Sequence, residues 1–252
     1  MSSNRRHFRP IANDILRRAV TVTTILAVVT ALTSIAGSGE KPKGGDQNKK
    51  NLAWQSLFDG KTLGKWKSTE FGGEGDVLVK NGELVLEFGN DMTGVTWQDP
   101  KSLPRSNYEI ELEAKRVDGS DFFCGMTFPV KKEPCSLILG GWGGGVCGLS
   151  SINGMDASEN ETTTYEGFKN GQWYKVRLRV TDGKIEAWLD KKKIINQAVK
   201  DRKFSVRLEV ELSQPLGFAT WQTSAALRKI RLRKLSAAEV KKSIAEAASD
   251  DE

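Results

Sequence analysis

From Tyr108 to Arg233 the chain returns repeatedly to strict alternation of apolar and polar residues. Tyr108, Ile110, Leu112 and Ala114 alternate with Glu109, Glu111, Glu113 and Lys115, and Tyr174, Val176, Leu178 and Val180 alternate with Lys175, Arg177 and Arg179. The same rhythm runs through Ile185, Ala187 and Leu189, through Phe204, Val206, Leu208, Val210 and Leu212, and through Ile230 and Leu232. A period of two turns one face of each segment toward a core and leaves the other polar, the pattern of a half-buried strand. No stretch between residues 51 and 235 carries a convincing helical period. Asn81-Gly82, Asp118-Gly119, Asn170-Gly171 and Asp182-Gly183 punctuate the runs as turn signals, and Asp182-Gly183, set between two alternating segments, predicts a hairpin. Many strands with antiparallel turns define an all-β sandwich or jelly roll.

Charge narrows the function. The chain carries 38 Lys and Arg against 32 Asp and Glu; the first fifty residues hold nine basic and three acidic ones, leaving 29 of each beyond them. The excess belongs to the leader, so no nucleic-acid partner is expected, since such a surface needs its basic residues on the fold. Arg5, Arg6, Arg9, Arg17 and Arg18 precede an uncharged run from Ala19 to Gly39, with the small residues Ser34-Ile35-Ala36 at its end. Residues 1–36 therefore read as a signal peptide or a retained signal anchor, and the chain as exported, periplasmic or extracellular, touching a membrane only through that segment if it is uncleaved. Residues 37–50 read as a flexible linker, 51–235 as the domain, and 236–252 as a short helical tail ending in Asp250-Asp251-Glu252, loosely attached or disordered.

His7, in the leader, is the sole histidine, which removes histidine-based triads and histidine-dependent zinc hydrolysis from the domain. Cys124, Cys135 and Cys147 fit no zinc spacing; one pair could bridge in an oxidising compartment, or all three serve as small buried hydrophobes. Gly143-Gly144-Gly145-Val146-Cys147-Gly148 matches G-x-G-x-x-G without the strand–helix context of a dinucleotide site, and reads as a close-approach loop. Its neighbour Trp142 is either a sugar-stacking platform or a core plug. The stretch Asn153 to Thr162 gathers Asp156, Glu159 and Glu161 with two asparagines, hard oxygen ligands suited to calcium or a solvated loop.

The opening Leu57-Phe58-Asp59-Gly60-Lys61-Thr62-Leu63-Gly64-Lys65-Trp66 resembles the start of the 3-keto-disaccharide hydrolase domain family. Asn81-Gly82-Glu83-Leu84, the strand Asn107 to Glu113, the strand opened by Trp173, and the close from Gly217-Phe218 to Leu227–Leu232 follow in similar order, over about residues 52–235. The resemblance implies a concanavalin- or laminin-G-like jelly roll, and hydrolysis, or elimination followed by hydration, of 3-keto-glycosides. The chain departs from the family pattern twice. A G-x-x-x-H-G stretch is here Gly217-Phe218-Ala219-Thr220-Trp221-Gln222, without its histidine, and Pro129 stands near an expected arginine.

A jelly roll can curve one polar face into a groove, and Glu113, Lys115, Arg207, Glu209 and Glu211 are the candidates to line it. A carboxylate base among Glu113, Glu209 and Glu211 would remove a proton made acidic by a neighbouring carbonyl, while Lys115 or Arg207 steadies the oxyanion. Trp142 and Trp221 would stack on the sugar, with Asp156 and Glu159 as further ligands. The bland alternative for the charges is cross-strand ion pairing. The rival function on the same fold is a non-catalytic, lectin-like carbohydrate-binding module, and a third is a cell-envelope spacer. A raised pKa on a groove carboxylate favours the enzyme; aromatics with merely solvated charges favour the binder.

Overall fold

The computed structural model describes residues 52–250, and the expected leader and linker lie outside them. Among the described residues fifteen strands follow in chain order: β1 Gln55–Ser56, β2 Trp66–Ser68, β3 Val77–Lys80, β4 Glu83–Leu86, β5 Met92–Trp97, β6 Tyr108–Gly119, β7 Cys124–Val130 and β8 Glu133–Gly141. Then come β9 Val146–Ser150, β10 Thr164–Tyr165, β11 Trp173–Val180, β12 Lys184–Leu189, β13 Lys192–Ala198, β14 Gly217–Trp221 and β15 Thr223–Lys234, with a closing helix α1, Ala237–Asp250. All the pairings are antiparallel. One sheet runs β13-β12-β11-β6-β15-β4-β3, with β1 added on β15; the other runs β10-β9-β8-β7-β14-β5-β2. The two form the expected sandwich.

Alternation decides what fills it. Tyr108, Ile110, Leu112 and Ala114 of β6 and Val176, Leu178 and Val180 of β11 meet Met126 and Phe128 of β7, Leu137 and Leu139 of β8 and Phe218 of β14 in one buried core. The three cysteines belong to it as free thiols. Asp182-Gly183 joins the paired strands β11 and β12 as the sequence predicts. At Asn81-Gly82 both residues have positive φ, 53° and 80°, the backbone that a tight two-residue hairpin between β3 and β4 demands. Asp118-Gly119, in contrast, closes β6 rather than turning it, because both residues pair with the start of β15.

The outer face of the first sheet is a ladder of ion pairs. Glu109 sits between Arg179 and Arg233, Glu111 between Lys175 and Arg231, and Glu113 between Arg228 and Lys229. Trp54, Trp173 and Trp188 interleave with the arginines as stacking planes.

Two expectations fail. Residues 204–212 are not a strand. Phe204 makes one bridge to Ile152, and Leu208–Ser213 then coil into a 3-10 turn with Leu208 82% and Leu212 58% exposed. Neighbours already flank β14 and β5, so the segment lies on the outer face of their sheet instead. There Thr96 Oγ1 donates to the Leu212 carbonyl (2.9 Å), and Val206 and Val210 pack with Met92 and Ala219. One-sided burial produces a period of two whether a segment pairs in a sheet or rests on one.

The described part of the tail is not loose either. Ser236 and Glu239 form a reciprocal cap on α1: the Ser236 N–H donates to Glu239 Oε2 (2.9 Å) and the Glu239 N–H to Ser236 Oγ (3.3 Å). Ser243 is buried against Thr181, their hydroxyls 2.8 Å apart, and Ile244 and Ala247 lie over Gly183, where a Cβ would come within 3.4 Å of both. Among the described residues no helix is long and apolar enough to cross a membrane.

Candidate functional site

Alternation in the second sheet sends Cys124, Met126, Cys135, Leu137, Cys147 and Leu149 into the core, which leaves Thr127, Ser136, Ile138 and Ser150 on the outer face. Over that face lies a pocket of about 220 Å³. Its floor holds Met92, Ser136, Ile138 and Ser150; its walls are Phe122, Trp142, Trp221 and Val210; Asp121, Arg207 and Glu209 complete the lining.

Local geometry fixes the walls. Trp142 sits in the β8–β9 hairpin at φ 48°, half-exposed, with Gly143 and Gly144 following at positive φ. Asp121 holds that hairpin down: its Oδ2 accepts from the Gly143 N–H (2.9 Å) and its Oδ1 from the Phe122 N–H (2.7 Å). The G-x-G-x-x-G match is thus a strand-to-strand turn, with no helix after it. Trp221 ends β14, and its N–H donates to the Phe122 carbonyl (3.1 Å). The rim is charged. Arg207 Nη2 and Nε donate to the two oxygens of Glu209 (2.8 and 3.3 Å), and Nη1 to Asp156 Oδ2. Asp156 Oδ1 also accepts from the Ser158 hydroxyl (2.7 Å).

The bond from Arg207 holds Glu209 below the usual carboxylate range, and the bond to Glu209 raises Arg207 in turn. Burial pushes Asp156 up, but hydrogen bonds from Ser158 and Arg207 outweigh it and leave it lowered. The rim is therefore one fixed cation between two ionised carboxylates, with neither carboxylate raised.

The structure brings together Trp142, Trp221, Arg207 and Glu209 in the pocket lining, with Asp156 bound to Arg207. It does not bring the other sequence-derived candidates there. Glu113 and Lys115 lie on the outer face of the opposite sheet, Glu113 on Arg228 and Lys229, and Lys115 on Glu83 (3.3 Å) with its ammonium 4.5 Å from the Trp173 ring centre. They point away from the core because β6 already spends its even positions inside. Glu211 and Glu159 are exposed and absent from the pocket lining. Sequence reasoning missed Asp121, Phe122, Ser136 and Ser150. The register places Ser136 opposite Ser150, a relation that spacing along one strand does not reveal.

The 153–162 loop does not gather its carboxylates for calcium. Asp156 turns to Ser158 and Arg207, Glu161 to Arg202 (2.7 Å), and Asn160 donates to the carbonyls of Leu149, Met155 and Asp156. Among the described residues no group of three or more His, Cys, Asp or Glu is placed to hold a metal ion.

This is a galectin-like jelly-roll sandwich carrying an aromatic pocket on one sheet. A sequence model of the 3-keto-alpha-glucoside-1,2-lyase-like domain matches residues 53–233, and the chain belongs to that family. Solved structures agree on the fold. The Crh5 transglycosylase in complex with NAG superimposes with a TM-score of 0.53 at 11% identity, over 74% of this chain and 86% of that one. A Bacillus subtilis protein of unknown function with a galectin-like fold gives 0.51 at 11%, over 73% and 95%. A structure from work on endo-acting O-glycanases of the human gut microbiota gives 0.50 at 12%, over 73% and 99%. No curated protein matches the sequence.

Proposed function

We propose that the chain is a carbohydrate-active domain whose pocket between Trp142 and Trp221 takes a saccharide, and that its substrate is a 3-keto-glycoside. The observation that carries the reading is the Arg207 guanidinium, fixed by two carboxylates at the rim of an aromatic pocket, in a chain of this family. An aromatic face suits the apolar face of a pyranose, and the rim supplies charged hydrogen-bonding groups. On a 3-keto sugar the carbonyl acidifies the C2 proton. Glu209 takes that proton, the C2–H electrons form the C1–C2 double bond, and the C1–O bond breaks with its pair leaving on the glycosidic oxygen, which is protonated from water. Arg207 faces the negative charge that develops on O3. Hydration of the double bond then completes a net hydrolysis. The same fold in the Crh5 transglycosylase is described with NAG bound, which supports a sugar ligand. Export of the chain, resting on residues 1–36, is part of the same proposal.

A second reading, a non-catalytic binding module, draws on two observations. Glu209 is pinned in a two-point pair with Arg207, and Trp221 stands where the family pattern has histidine. Incubating the protein with 3-keto-disaccharides and with ordinary disaccharides, with and without chelator, decides between them. Cleavage of the keto-sugars alone sustains the enzyme. Retention of glycans without cleavage gives the binder, and neither cleavage nor retention removes both.

A further inference from the structure

A row of small and hydroxylated residues crosses the outer face of the second sheet. Thr96 of β5 is opposite Gly217 of β14, Gly217 opposite Thr127 of β7, Thr127 opposite Ser136 of β8, and Ser136 opposite Ser150 of β9. The row is closed at one end. Thr96 Oγ1 is bonded to Thr69 Oγ1 (2.7 Å) and to the Leu212 carbonyl, and Gly217 is roofed by Ser213, where a Cβ would come within 2.5 Å of the Ser213 carbonyl. In the middle, Thr127 and Ser136 share a bond of 2.8 Å. At the open end Ser150 lines the pocket; its hydroxyl is buried and has no hydrogen-bond partner.

A hydroxyl buried without a partner is unfavourable, and such groups in native folds ask for an explanation. The row supplies one, since Ser150 lines the pocket beside Ser136, among apolar and aromatic side chains, with the charged Asp121, Arg207 and Glu209 completing the lining. Its volume of about 220 Å³ is below the roughly 300–1,000 Å³ of sites for drug-sized ligands, a size suited to one sugar ring. We infer that Ser150, backed by Ser136 and Thr127, is a hydroxyl-reading subsite at the pocket floor, which takes one hydroxyl of a single pyranose ring held against Trp142 and Trp221. The inference rests on the carbohydrate reading and adds to it. The ring is a single unit, and one of its hydroxyls is read from the floor in addition to what the charged rim holds. A serine hydroxyl both donates and accepts, so it recognises a sugar hydroxyl without requiring a charge.

The test is calorimetric titration of methyl α-glucopyranoside and methyl 3-keto-α-glucopyranoside into the wild type, Ser150→Ala and Trp142→Ala, with a thermal melt of each protein. Ser150→Ala is expected to weaken binding of at least one probe about fivefold to tenfold. Its Tm should stay unchanged or rise, because it deletes a group with nothing to lose in the empty protein. Unchanged affinity in Ser150→Ala, with binding lost in Trp142→Ala, overturns the subsite and leaves the pocket reading standing. Unchanged affinity in Trp142→Ala removes the pocket reading itself. A lowered Tm in Ser150→Ala makes the serine structural and also overturns the proposal, as does failure of both probes to bind the wild type.

Discussion

Arg207 and Asp156, 51 residues apart in sequence, are joined by an ion pair that ties the 3-10 segment over the second sheet to the polar loop at residues 153–162. Arg207 is nearly half-exposed, so this pair and its partner pair with Glu209 add only about 0–1 kcal/mol to stability. Its chemical weight is larger. Arg207→Ala leaves two carboxylates facing the pocket mouth with no cation. The expected result is a melting temperature within about 3 °C of wild type and at least a tenfold loss of saccharide affinity or turnover, with Arg207→Lys between the two because it cannot span both partners. Calorimetry beside a thermal melt checks this, and a large Tm loss would make the residue structural.

Glu109 presents the opposite balance. It is only 1% exposed and accepts from Arg179 on one oxygen and Arg233 on the other. Glu109→Ala takes the buried carboxylate from two guanidinium groups and leaves Arg233 with Glu239 and Arg179 with the more distant Glu186. Losing one member of a buried network is worth about 3 kcal/mol, the low end for a broken buried pair. For a domain of this size that lowers Tm by roughly 6–12 °C. Glycan binding by the folded fraction should be unchanged, since β6 lies in the other sheet.

Burial pushes the thiols of Cys124 and Cys147 up to about 12, and that of Cys135 higher still. A thiol is nucleophilic as its thiolate, so all three should resist iodoacetamide at pH 8 in the folded protein and react together on unfolding in guanidinium. Mass spectrometry of the native protein should find no adduct; a single labelled cysteine would show that its strand opens locally.

How much of this was legible depends on what alternation reports. In β6 and β11 it reports a strand between two neighbours, and Tyr108 through Ala114 sit in the core as read. At 204–212 the same rhythm comes from Val206 and Val210 resting on the sheet while Leu208 and Leu212 face water. The opening stretch that carries the family resemblance is a clasp rather than a site. Asp59 Oδ1 accepts from the N–H groups of Lys61 and Thr62, and Trp66 Nε1 donates to the Leu57 carbonyl. Trp142 was readable as a large amphipathic residue beside a Gly-rich loop, and Trp221 as the residue standing where the family pattern has histidine. Ser136 and Ser150 were not, because a hydroxyl row exists only across strands, once register is known. The glutamates of β6 misled for a related reason: their partners Arg228 to Arg233 come from a strand more than a hundred residues away.

The cap on α1 gives a pH test with a defined sign. Glu239 accepts from Arg233 and from Ser236, and chiefly through the Arg233 bond its pKa falls to about 2, from an ordinary 4.5. A carboxylate whose folded value lies below its unfolded value stabilises the fold above the unfolded pKa, and that contribution fades as pH falls through the folded value. Here the window is about pH 4.5 down to about 2. The side chain is about a third exposed, so solvent screening reduces the full linkage value to about 1–2 kcal/mol. Glu239→Gln should therefore be less stable than wild type by that amount at pH 7 in urea unfolding, with the gap narrowing below pH 4.5 and nearly closed at pH 2. The loss should centre on α1 and the β11–β12 hairpin beneath it, where Ser243 meets Thr181, and amide exchange should rise there first. A gap that persists unchanged at pH 2 would mean that the glutamate acts through packing rather than through its charge.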